Sequence, residues 1–157
     1  MTGSLHIGDV APPFGFVARD GAPLTNEACR GRKVVLYFYP KDDTSGCTKE
    51  AIDFNQLRSA FAACDTTVIG VSPDSAASHE KFKAKHGLDL ELGSDESKAM
   101  LEAYGVWTQK SMYGRKYMGV ERTTVLIGRD GAVAQIWPNV KVPGHAEAVL
   151  AAAQALA

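Results

Sequence analysis

Seven consecutive residues, Lys33–Tyr39 (KVVLYFY), constrain this chain more than any other feature. The run is almost wholly apolar, rich in β-formers, and does not alternate with polar residues. A strand of that kind is buried on both faces, which requires a layer of structure above and below its sheet. Pro40 ends it, because proline has no N–H to give to a ladder. Thr67–Val71 (TVIGV) repeats the character. Between the two, Ala51, Phe54, Leu57, Arg58 and Phe61 recur at helical spacing, and Ala60, Ala62 and Ala63 favour one helix running on towards Cys64.

The rest of the chain supplies the layers. Gly8–Phe14 reads as an extended lead-in, and Phe14–Val17 pairs with Ala22–Leu24 around Asp20-Gly21. Ser75–His86 reads as a polar helix, Leu90–Leu92 as a short strand, and Ser97–Tyr104 as a helix closed by Gly105. Thr123–Ile127 and Ala132–Trp137 form a hairpin across Arg129-Asp130-Gly131, and His145–Leu156 is an alanine-rich closing helix. Strand–helix–strand units give parallel pairs through right-handed crossovers, and the late hairpin adds antiparallel ones. The expectation is an α/β fold, a mixed central sheet with helices on both faces, with residues 1–157 as one domain.

Bulk properties exclude several functions. The net charge of −1 leaves no basic surplus for phosphates, so nucleic acid is not an expected partner. No segment approaches a membrane span in length. Met1–Pro13 lacks the basic and apolar regions of a secretory signal, which favours the cytoplasm, where thiols stay reduced. Three cysteines, Cys29, Cys47 and Cys64, cannot all pair, and no two make a Cys-x-x-Cys motif. At least one thiol is free.

Ligands of such a sheet bind beyond the carboxyl ends of its strands. The junction after Tyr39, running from Pro40 to Glu50, is such a place, and Cys47 falls in the first turn of the helix that follows. Free backbone N–H groups and the positive end of the helix dipole stabilise a thiolate there. The alternative is an inert buried cysteine. Polar neighbours on both sides argue against burial, but position alone leaves both readings open.

Pro40-x-x-x-Thr44-x-x-Cys47 resembles the active-site signature of peroxiredoxins. Asp9–Phe14, Val35–Asp42, Gly70–Asp74, Tyr104–Trp107, Met112–Gly114 and Arg122–Thr124 extend the likeness, in order, to the bacterioferritin comigratory protein, or Q-type, branch. The resemblance implies a thioredoxin-like fold and a peroxidase that reduces hydrogen peroxide and organic hydroperoxides. It implies that Cys47 attacks a peroxide oxygen, that the Thr44 hydroxyl bonds thiolate and peroxide, that Arg122 lies in the site, and that Pro40 shields the sulfur. A fixed guanidinium favours charged sulfur and donates to peroxide oxygens. Glu50, one turn beyond Cys47, either orients Arg122 or complements the helix N-terminus. The product is a Cys47 sulfenic acid plus water or an alcohol, with no metal, flavin or nucleotide needed.

One departure matters. Many members of the branch carry a resolving cysteine five residues after the first, where this chain has Ile52. On one continuous helix Cys64 would lie about 25 Å from Cys47, and across the first strand Cys29 would lie about 23 Å away. A disulfide needs Cα atoms within about 7 Å. The expectation is therefore a one-cysteine mechanism in which thioredoxin, glutaredoxin or glutathione resolves the sulfenic acid, in a monomer. Cys29 and Cys64 read as small buried hydrophobes.

Other residues carry weaker signals. His79 and His86 read as a solvated helix face with no carboxylates to complete a metal site, and Lys81, Lys83 and Lys85 as a solvated stripe. His6 and His145 are isolated. Trp107, Tyr113 and Trp137 read as core, with Trp107 the best candidate for the peroxide pocket. A Cys–His hydrolase would need a histidine beside Cys47, and none is expected there. A peroxide-sensing or redox-interaction module would use the same cysteine.

Overall fold

A computed structural model describes residues 5–157. Its strands are β1 (Gly15–Val17), β2 (Pro23–Thr25), β3 (Lys33–Phe38), β4 (Thr66–Ser72), β5 (Glu91–Ser94), β6 (Trp107–Met112), β7 (Arg115–Val120), β8 (Thr123–Ile127) and β9 (Val133–Trp137). Its helices are α1 (Ser45–Gln56), α2 (Arg58–Ala63), α3 (Ala76–His86), α4 (Ala99–Ala103) and α5 (His145–Ala155). The central sheet has the order β5-β4-β3-β8-β9. β3 runs parallel to β4 and antiparallel to β8, so the sheet is mixed, as expected.

All six residues of β3 are buried, which is what its unbroken apolar run required. Val34, Leu36 and Phe38 face one core with Leu101 and Tyr104 near α4 and with Phe14 from the lead-in. Val35, Tyr37 and Tyr39 face the other, against Phe54 of α1, Phe61 of α2 and Val149 of α5. Gly70 of β4 marks a tight approach. A Cβ there would stand 2.5 Å from the Tyr37 ring, so only glycine lets that ring lie flat against the strand. Tyr37 in turn stacks on Phe54 with centroids 4.6 Å apart, which ties the sheet to the first helix.

One expectation fails, and one element was not anticipated. The helix does not run unbroken to Cys64. It is interrupted at Leu57, whose N–H is shared between the carbonyls of Asp53 and Phe54 in a tightened turn. The straight-helix distance from Cys47 to Cys64 therefore does not apply. The hairpin β6–β7 was also missed. Its strands are exposed over most of their length and bury only Val120, with Trp107, Thr108, Lys110 and Gly119 half-buried, so they show no sustained apolar period, and its turn at Tyr113-Gly114 lacks the usual asparagine. Both turn residues take positive φ, 52° and 77°.

The antiparallel register pairs Phe38 with Thr123. The end of β3 and the start of β8 thus meet at one edge of the sheet. Everything that follows is built there.

Candidate active site

The loop between β3 and α1 is fixed before the helix starts. Tyr39 donates its hydroxyl to Asp42 Oδ1 at 2.6 Å, Ser78 donates to Asp42 Oδ2 at 2.8 Å, and His79 Nδ1 lies 2.7 Å from the same oxygen. The Asp42 N–H donates to Asp74 Oδ2. Asp43, with φ of 61°, is held by Lys85 and His86. Burial works against a charged Asp42, but the bonds from His79, Tyr39 and Ser78 outweigh it and hold the carboxyl below the ordinary range. The loop is thereby pinned to α3 at two successive residues.

This network corrects two expectations. His79 is buried, not solvated, and its second ring nitrogen faces the Gly93 carbonyl at 3.1 Å. Carboxylates do gather around it, since ligand atoms of Asp42, Asp74 and His79 lie within 4.8 Å of one another. Those oxygens are already engaged by Tyr39, Ser78, Ser72 and the Asp42 amide, so the cluster acts as a clasp for the loop. Phe82, three residues beyond His79 and also buried, marks the shared inner face.

Helix α1 then begins at Ser45 after its N-cap Thr44, which puts Cys47 in the first turn. Cys47 is only 1% exposed, against the expectation drawn from its polar neighbours. The reason is helical phase: Cys47, Glu50, Ala51 and Phe54 share the buried face, while Ser45 and Lys49 point outward. Arg122, in the two-residue link between β7 and β8, reaches this face. Its Nη2 donates to Cys47 Sγ at 3.3 Å and its Nη1 to Glu50 Oε1 at 2.6 Å. A Cβ at position 46 would stand 3.2 Å from Nη2, so Gly46 leaves the guanidinium its place. Of the two roles open to Glu50 in the sequence, the geometry displays contact with Arg122.

The remaining site residues are placed less simply. Thr44 is exposed and donates its hydroxyl to the Lys41 carbonyl at 3.0 Å, not to the sulfur. Pro40 is half-buried at the head of the loop. Trp137, not Trp107, packs in the core cluster that contains Cys47, Trp107 packs against the other one, and Tyr113 is 98% exposed at the hairpin tip. A histidine does come near the site. His145 receives or gives a hydrogen bond at Thr124 Oγ1 over 2.8 Å and stands edge-on to Phe54 and Trp137. Burial, and then the Arg122 charge, push its pKa down to about 4, so it stays neutral at pH 7.

The family model for AhpC/TSA proteins matches residues 7–136. The chain belongs to the AhpC/TSA family. A peroxiredoxin Bcp from Bacillus subtilis is 43% identical over 90% of this chain and 90% of its own. A putative peroxiredoxin bcp from Coxiella burnetii is 44% identical over 94% and 97%. The solved peroxiredoxin Q of Xylella fastidiosa superposes with a TM-score of 0.87 at 38% identity, covering 97% of each chain. A bacterioferritin comigratory protein from Xanthomonas campestris gives 0.84 at 41%, covering 98% of each. The resemblance read from the motifs, the thioredoxin-like α/β fold and the class of thiol-dependent peroxidase all stand on these findings. No helix among the described residues is long and apolar enough to cross a membrane.

Within this AhpC/TSA site, the Glu50 carboxyl is pushed well above the ordinary carboxylate range. Burial pushes its pKa up, Arg122 pulls it back, and it settles at about 7. Its second oxygen, Oε2, is buried without a partner, which gives a proton somewhere to sit. A folded pKa above the unfolded value means that the native state binds more protons, so this group's contribution to stability falls as pH rises from about 4.5 to about 7. His145 contributes the opposite slope between about 4 and 6.5. A difference measurement cancels it. The melting temperature of Glu50→Gln minus that of the wild type is expected to rise between pH 5 and pH 8. An offset independent of pH would show that Glu50 does not titrate in that window.

Proposed function

We propose that Cys47 is the peroxidatic nucleophile of this thiol peroxidase and that an external thiol resolves it in a one-cysteine mechanism. The observation that carries the reading is the pair of bonds from one guanidinium, Nη2 to Cys47 Sγ and Nη1 to Glu50. Attack requires thiolate, and an ordinary cysteine, with pKa about 8.5, supplies little of it at neutral pH. Arg122 places a permanent charge against the sulfur. Burial disfavours that charge, but Glu50 and Cys47 beside it more than compensate and hold its pKa above the ordinary value.

In the chemical step the thiolate displaces on the nearer peroxide oxygen, an S–O bond forms, and the O–O bond breaks. The departing oxygen gathers negative charge and leaves as water or an alcohol after taking a proton. Arg122 donates to both the incoming sulfur and the peroxide, and Glu50 holds the fork in place. Thr44 stands at the exposed mouth of the site, and its hydroxyl, now on Lys41, turns to the peroxide when substrate enters. Pro40, half-buried at the head of the loop, shields the sulfur. The Xanthomonas campestris relative is described by its alkyl peroxide reduction activity, which supports organic hydroperoxides beside hydrogen peroxide as substrates here. The protein works in the cytoplasm as a monomer, with thioredoxin, glutaredoxin or glutathione as reductant.

Resolution from within the chain is disfavoured. Cys29 is buried in the core on the opposite side of β3 from Cys47, and burial raises its thiol pKa, which keeps it a poor nucleophile. Cys64 is half-buried, not buried as expected, and donates its thiol to the Phe61 carbonyl at 3.3 Å. The double variant Cys29→Ser, Cys64→Ser is expected to keep peroxide turnover with dithiothreitol within about twofold of the wild type. Loss of turnover in the variant alone would overturn the one-cysteine mechanism. Absence of turnover in the wild type would overturn the peroxidase itself.

A further inference from the structure

A one-cysteine peroxidase needs a place beside its sulfur where the reductant can dock. The hairpin β6–β7 has the features of one. Every residue from Ser111 to Met118 is exposed, including Met112, Tyr113, Tyr117 and Met118. Large apolar side chains gathered at one exposed turn are unusual on a surface that has nothing to bind. Register puts Lys110 opposite Tyr117 and Met112 opposite Arg115, so cationic, aromatic and thioether groups share one face. No acidic residue lies between Glu102 and Glu121, whereas Lys110, Arg115 and Lys116 all lie within the hairpin. Among the described residues none of these three forms an ion pair. The hairpin is thus a basic patch on a chain whose net charge is −1.

Its tip adds a second sign. Tyr113 holds φ of 52° with its ring 98% exposed. A bulky residue in the left-handed region costs on the order of 1 kcal/mol, and asparagine would relieve much of that. Within the fold the exposed ring offsets none of that cost. The hairpin's place supplies the third. β7 ends at Val120 and Arg122 follows two residues later, with its side chain on Cys47. The base of the hairpin, where Trp107 pairs with Val120, therefore adjoins the end of β3 and the start of β8, where the Cys47 loop also begins.

We propose that the β6–β7 hairpin is the docking surface for an acidic dithiol protein of the thioredoxin type that re-reduces Cys47. The proposal rests on the one-cysteine reading. A thiolate of the docked protein attacks the Cys47 sulfenic sulfur, an S–S bond forms, the S–O bond breaks, and the oxygen leaves as water after protonation. The second thiol of the partner then attacks its own sulfur in the mixed disulfide and expels the Cys47 thiolate. The partner ends as a disulfide and Cys47 is regenerated. Because Cys47 is buried, the first turn of α1 must open for the first attack.

The test uses two variants of the full chain, Tyr113→Asn and the triple charge reversal Lys110→Glu, Arg115→Glu, Lys116→Glu. The probe is an acidic thioredoxin kept reduced by its own reductase. Oxidation of Cys47 in a single turnover without reductant, and recycling by dithiothreitol, are expected to stay within twofold of the wild type. Recycling by the acidic thioredoxin is expected to fall at least about tenfold in the triple variant at low salt and to lose the wild type's decline with added salt. Tyr113→Asn is expected to melt at the same or a higher temperature while thioredoxin recycling falls severalfold. Thioredoxin recycling within twofold of the wild type in both variants would overturn the proposal. So would wild-type dimerisation, or binding to anionic phospholipid vesicles, that the charge reversal abolishes while recycling persists. Failure of the peroxide step in the wild type would strike the underlying reading instead.

Discussion

With Cys47 replaced by serine, hydroperoxide turnover is expected to fall to the uncatalysed background while the fold is retained. Serine keeps a hydrogen-bond acceptor for Arg122 Nη2 and fits the space of the thiol on the inner face of α1. What it lacks is a sulfur that ionises readily and accepts an oxygen atom. An unchanged melting temperature, or a change of a few degrees, with no peroxide consumption would separate loss of chemistry from loss of structure. Retained turnover would remove Cys47 from the mechanism, because Cys29 faces the opposite core and Cys64 is engaged with Phe61.

Replacing Arg122 with methionine is the second large effect. The side chain keeps much of its length and apolar stem but loses the fork that joins Cys47 to Glu50. Loss of one fixed donor at a developing anion typically slows the chemical step by about 10²–10³-fold, or ~3–4 kcal/mol. Stability is expected to change less. Breaking a buried ion pair is usually severe because a charge is stranded, at ~3–5 kcal/mol. Glu50 escapes that penalty by taking up a proton, which its pKa of about 7 already makes easy. Stopped-flow oxidation of the reduced protein by hydrogen peroxide measures the first quantity and urea unfolding the second. An unchanged oxidation rate would show that the Arg122–Cys47 bond has no part in the reaction.

Much of this was legible because burial writes itself into composition. An unbroken apolar run such as Lys33–Tyr39 has few other homes than the centre of a covered sheet, and its immediate partner strands were found within a residue or two. Glu50 was found because three residues along a helix returns to the same face. What stayed hidden depends on contacts between distant segments. The clasp of Asp42 by Tyr39, Ser78 and His79 joins a loop to a helix that looks polar along its whole length. The approach of His145 to Thr124 joins the end of the chain to a central strand. The hairpin β6–β7 escaped because only its base, at Trp107 and Val120, is covered, and strands exposed along most of their length leave no apolar pattern. The burial of Cys47 was misjudged by reading its neighbours along the chain rather than around the helix.

The most direct test of Cys47 as a peroxidatic thiol resolved from outside is the intact mass of the reduced protein after one equivalent of hydrogen peroxide, with a sulfenic-acid trap present. The expected result is one adduct per chain, mapped to Cys47. Loss of two hydrogens within a single chain would place Cys29 or Cys64 on Cys47 and contradict external resolution. No change in mass would contradict the peroxidase chemistry at this cysteine.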